Sequence, residues 1–99
     1  MTIGNRPAIH PGEVLGQLYL APLDMSADDL AARLLLPVAA VESILREEIS
    51  IDAETALRLS RFFSTTPEFW INLQTDFDLK KARTGIESDL ASIAPLHAA

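Results

Sequence analysis

Thr66-Pro67-Glu68 marks a helix start more firmly than any other three residues of this chain. The threonine hydroxyl accepts from a first-turn backbone N–H, and proline suits the first helical position because its missing N–H would have no partner there. The acid then meets the positive end of the helix dipole. Phe69, Trp70, Leu73 and Phe77 follow at helical spacing, and Lys80, Lys81 and Arg83 suit the negative end of the dipole. The pattern predicts a helix from about Pro67 to Arg83, stopped by Thr84-Gly85.

Similar punctuation divides the rest into shorter helices. Pro11 and Glu13 open one that carries Val14, Leu15, Leu18 and Tyr19 on one face and ends at Ala21-Pro22. Ser26 caps a second, with Asp28 and Asp29 in its first turn and Leu30, Ala31 and Leu34 on one side. Leu35-Leu36-Pro37 is too apolar for a free loop and reads as a tight turn packed inward. A third helix runs from about Val38 to about Arg46, with Val41, Ile44 and Leu45 as core contacts. Asp52 caps a fourth, in which Ala56, Leu57, Leu59, Ser60 and Phe63 alternate between core and surface.

The expected fold is therefore all-α. A chain of 99 residues fits one domain with a modest core. Residues 1–9 are expected to form an N-terminal arm, 10–83 the helical domain, and 84–99 a tail with weak periodicity at Ile86, Leu90 and Ile93. Met1 to Ala8 has no apolar run and does not read as a signal peptide. No segment approaches the ~20 apolar residues that cross a bilayer. Absence of cysteine removes disulfide and thiolate chemistry and fits a cytoplasmic location.

Enzyme chemistry finds no constellation here. Ser26, Ser43, Ser50 and Ser60 have no histidine and acid at a triad spacing, and no glycine-rich phosphate loop is present. Asp28-Asp29 and Glu47-Glu48 are sequence neighbours, which do not face each other on a helix. His10 and His97 are the only histidines, so a metal site lacks its second ligand and His10 reads as a capping or packing residue. No cofactor, metal or small-molecule substrate is expected.

Ala27 to Arg46 carries the informative spacing. A helix-turn-helix needs a small residue where its helices meet, apolar residues flanking the turn, and two apolar positions three apart on the second helix. Ala31, Leu34, Leu36, Val41 and Ile44 meet these needs. They let the helices cross closely and leave the outer face of the second free for the DNA major groove.

Three stretches resemble the HigA-type antitoxins of bacterial toxin–antitoxin modules. One is His10-Pro11-Gly12-Glu13-Val14-Leu15 with Leu20-Ala21-Pro22-Leu23 and Met25-Ser26. The second is Thr55-Ala56-Leu57-Arg58-Leu59. The third, and most specific, is Thr65-Thr66-Pro67-Glu68-Phe69-Trp70-Ile71-Asn72-Leu73-Gln74. This resemblance implies a five-helix, phage-repressor-like fold with the helix-turn-helix at helices two and three and a short C-terminal extension. It also implies a homodimer on operator DNA and a HigB toxin of the RelE type as partner.

Transferred position by position, the DNA-facing residues are Ala27, Asp28, Val38, Ala39, Ala40, Glu42, Ser43 and Arg46. The family usually has glutamine where this chain has Ala27 and glycine where it has Leu35. Ala39, Ala40 and Glu42 replace the usual Ser, Arg and Asn or Ser, and Glu47-Glu48-Ile49 replaces a basic loop. From Val38 to Glu54 one base, Arg46, stands against five acids. Arg46 either reaches DNA or pairs with Glu42, four residues back. Arg58 and Arg61, on the outer face of the fourth helix, read as ordinary surface charges, the alternative being a contact with the DNA backbone.

The net charge of −6 suits a basic toxin, whose contact is expected at His10 and Glu13. The two-fold interface is expected on Phe69, Trp70, Leu73 and Phe77, with Trp70 in a core or dimer position. The leading expectation is an antitoxin and transcriptional autoregulator. The alternative is an interaction module on the same fold that has lost specific operator binding.

Overall fold

The computed structural model describes residues 8–97. Among them are five helices and no strand. The expected N-terminal arm lies almost wholly outside the described residues.

Helix α1 (11–23) is continuous but not uniform. Pro11–Val14 and Ala21–Leu23 are α-helical, and Leu15–Leu20 between them is a π-helical turn. Ala21 donates five residues back to the Gly16 carbonyl. This wider turn corrects two expectations. Leu15 and Leu20, five residues apart, share the buried face, and Leu18 is turned out to solvent. Pro22 does not end the helix, which runs on to Leu23 and stops at Asp24 in the left-handed region (φ 51°). The π turn widens the ring in which a proline would otherwise clash with the carbonyl four residues back.

Helix α2 (Ala27–Leu34) starts with a capping box. The Ser26 hydroxyl accepts from Asp29 N–H at 3.1 Å, and the Asp29 carboxylate accepts from Ser26 N–H at 3.2 Å. Helix α3 (Val38–Leu45) follows a three-residue turn. Helix α4 (Ala53–Phe63) is capped by Asp52, which accepts from Thr55 N–H at 2.9 Å. That backbone N–H, followed by the Thr55 hydroxyl, holds the Asp52 carboxyl below its usual range.

Helix α5 (Pro67–Ser92) is far longer than its start signal and Gly85 suggested. One glycine costs a helix interior only about 1 kcal/mol relative to alanine, which is not enough to end this helix at Gly85. The backbone bends instead. Thr84 Oγ1 donates back to the Lys80 carbonyl at 3.1 Å, and Ile86 leaves helical angles (φ −126°, ψ 21°).

The core gathers Leu15, Leu20, Leu30, Leu34, Val41, Ile44, Ile51, Ala56, Leu59 and Trp70. Trp70 is 0% exposed. Its indole N–H donates to Thr65 Oγ1 at 2.9 Å, and its ring packs among Tyr19, Phe63 and Phe69 at centroid distances of 5.1, 6.3 and 5.0 Å. Trp70 therefore offers no surface to a second copy, which corrects its place in the expected two-fold interface. Phe69 and Leu73 are half-buried against the same core, and Phe77 is half-buried beside His10.

Candidate nucleic-acid interface

Helices α2 and α3 form the helix-turn-helix. Ala31, Leu34, Val41 and Ile44 are buried where the helices cross, and Leu36 is half-buried against the core. Leu35 departs from the expectation of an inward turn. It sits in the left-handed region (φ 59°) with its side chain 81% exposed, because only this conformation lets the Leu35 and Leu36 N–H groups both reach the Ala31 carbonyl.

Two side chains from outside the motif fix its geometry. Arg58 on α4 donates to the Leu34 carbonyl at 2.8 Å and the Leu35 carbonyl at 3.3 Å, and pairs with Glu54 at 2.9 Å. It thus caps the last carbonyls of α2 and is not the ordinary surface charge expected from the sequence. Gln74 on α5 is buried and its Oε1 accepts from Ile51 N–H at 2.8 Å. Its Nε2 donates to Asp78 at 3.0 Å. It anchors the end of the loop that follows α3. The Glu54–Arg58 spacing was a signal for one of these roles; Gln74 carried none, since its partner is 23 residues away.

The back of α3 is held by α1. A Cβ on Gly12 would overlap the Ile44 carbonyl oxygen, so glycine alone permits this approach. His10 caps α1 through Nδ1, which accepts from Gly12 N–H at 2.9 Å, and its ring meets Phe77 edge-on at 4.9 Å. With 3% exposure it presents no side chain to a partner, a correction to its expected toxin contact. Glu13, next to it, is exposed.

On the outer side of the motif, Asp28, Val38, Ala39 and Arg46 are exposed, and Ala27, Ala40, Glu42 and Ser43 are half-buried. Arg46 makes no ion pair with Glu42. The pairs among the described residues are Arg58–Glu54 and Lys80–Asp76. Pro37 gives α3 no side-chain cap, which leaves the first N–H groups of α3 open to a phosphate. At α2 the capping box and two acids occupy the corresponding end. The following loop, with Glu47 (φ 63°), Glu48 and Ile49, is exposed. The surface is a well-formed reading platform with few hydrogen-bonding groups and one free cation on α3 and the loop after it.

No protein-family model matches the chain. Virulence-associated protein I of Dichelobacter nodosus is 45% identical over 82 residues, which are 83% of this chain and 76% of that protein. The structure of an addiction module antidote protein of the HigA family from Coxiella burnetii is 43% identical, with a TM-score of 0.86, over 91% of this chain and 99% of its own. The antitoxin GraA in complex with its operator is 42% identical with a TM-score of 0.87, over 99% of both chains. None of the described helices is long and apolar enough to cross a membrane. The chain belongs to the HigA family of helix-turn-helix antitoxins, a family of regulators rather than enzymes.

Proposed function

We propose that this protein is a cytoplasmic antitoxin that binds operator DNA upstream of its own gene and neutralises a basic, RelE-like toxin. The observation that carries the DNA half is the free outer face of α3 in a helix-turn-helix whose inner face is buried. Similar proteins of this family bind their operators. Val38, Ala39 and Ala40 suit a thymine methyl, and Arg46 is the one side chain able to make a bidentate contact with guanine. Glu42, Glu47 and Glu48 oppose the phosphate backbone. The reading is therefore an operator contact weaker than a basic recognition helix would give, centred on Arg46.

For the toxin half, the support is an open cleft of about 460 Å³ beside α1, lined by Gly12, Glu13, Gly16, Gln17, Leu45 and Glu47 among others. Its floor is partly apolar and its rim is acidic. Glu13 is then the contact residue, since His10 is buried.

A titration of the full chain on the upstream region of its own gene, at physiological salt, tests the DNA half. Arg46→Ala should weaken binding by about 5- to 150-fold, the range of one good bidentate contact. Glu48→Lys should strengthen it by removing a backbone repulsion. Nanomolar binding indifferent to both substitutions would mean that another face reads DNA. No binding at all would favour the interaction-module reading, which the acidic segment after α3 supports.

A further inference from the structure

A second open cleft, of about 460 Å³, lies between the last turn of α2 and the side of α4. Helix α4 turns Leu57, Arg58, Arg61 and Phe62 towards it, residues that share one face of a helix by their spacing. Leu34 and Leu35 complete its apolar part, and Arg33 stands at the end of α2. Leu34 is buried and Phe62 half-buried, whereas Leu35 and Leu57 are 81 and 58% exposed. No acid lines this cleft, although the chain carries 14 acids against 8 bases. The cleft beside α1 has the opposite character, with Glu13 and Glu47 at its rim.

The three arginines differ in what they have left to offer. Arg58 has spent its donors, Nη1 on the Leu34 and Leu35 carbonyls and Nε and Nη2 on Glu54. It is part of the wall. Arg33 and Arg61 are exposed and make no ion pair among the described residues. Two unspent guanidiniums beside an exposed apolar strip suit a ligand with an anion at one end and an apolar body. A phosphate or a nucleic-acid backbone would use the arginines and leave Leu35 and Leu57 in water. An uncharged apolar molecule would do the reverse.

We propose that this cleft binds a small amphipathic carboxylate. Its chain or ring lies on Leu35, Leu57 and Phe62, and its carboxylate is held by Arg33 and Arg61. Guanidinium matches a carboxylate through paired N–H groups, and the cleft has the volume of a small-molecule site. The occupant touches the turn from which α3 departs. The cleft shares no residue with the DNA-facing set or with the acidic cleft beside α1, so the proposal stands whatever either of those binds.

Titration of the isotope-labelled full chain with octanoate, 1-octanol and acetate tests it, read by the backbone amide shifts of residues 33–35 and 57–62. Octanoate should give saturable shifts centred on those two stretches. Acetate has the anion without the chain, and octanol the chain without the anion. Each should bind at least about tenfold more weakly. Arg61→Gln should weaken octanoate about two- to fivefold, the worth of one exposed ion pair. Leu57→Asp should abolish binding, and circular dichroism confirms that both variants are folded. Absence of octanoate shifts in these stretches overturns the proposal. So do equal affinity for acetate, which marks a simple anion site, and equal affinity for octanol, which marks an apolar patch. Binding that survives Arg61→Gln and Leu57→Asp together places octanoate elsewhere and overturns it too.

Discussion

Gly12 shows how one missing side chain sets the position of a whole reading helix. It lies where α1 meets the end of α3, with the Ile44 carbonyl oxygen in the space a methyl would take. A carbonyl in a helix cannot turn aside as a flexible side chain does, so the two helices must part. Gly12→Ala should cost about 1–3 kcal/mol in urea unfolding, the usual penalty for overpacking, and shift backbone resonances around Ile44. A variant as stable as the parent, with Ile44 unmoved, would contradict this. The capping role of His10 was legible from its place before Pro11. Its edge contact with Phe77 was not, because that depends on how α1 meets α5.

At the scale of elements, helix starts were legible, as were the ends near Leu34 and Leu45, whereas the ends expected at Pro22 and Gly85 were not found there. Ser26, Asp52 and Thr66 each cap by a hydrogen bond three residues ahead, a local event that the sequence records directly. The ends at Pro22 and Gly85 depend on whether the following turn finds an acceptable backbone, and in both places it does. The outward turn of Leu18 follows from the π turn, which no periodicity of 3.6 residues anticipates. The platform itself depends on a distant brace. Gln74→Leu would leave the buried Ile51 N–H without an acceptor, a cost of about 1–3 kcal/mol. Amide exchange should rise through residues 46–51, whereas Gln74→Glu, which keeps an acceptor, should change it less. Unaltered exchange in the leucine variant would mean that the loop is held by other contacts.

On the scale of the whole molecule, net charge separates the two proposed partners. A net charge of −6 opposes DNA at long range and favours encounter with the basic toxin proposed above. Association with the toxin should accordingly slow as salt rises and slow further in Glu13→Lys, with dissociation less affected. Stopped-flow mixing at two ionic strengths measures both. An association rate independent of salt and of Glu13 would remove the acidic cleft beside α1 from the contact. The family and its fold were legible because the Thr65 to Gln74 stretch is so particular. The solvent-facing end of α5 was not, since weak periodicity distinguishes neither a loose tail from an arm nor an arm from a core helix.

Leu35 places a backbone cost in the turn of the helix-turn-helix that the rest of the fold carries. An L side chain in the left-handed conformation costs roughly 1–2 kcal/mol where glycine would cost little, and this one lies mostly in solvent. Replacement by glycine touches neither the core nor the outer face of α3, so this turn is a place where the local backbone cost can be removed without altering the surface that the helix-turn-helix presents.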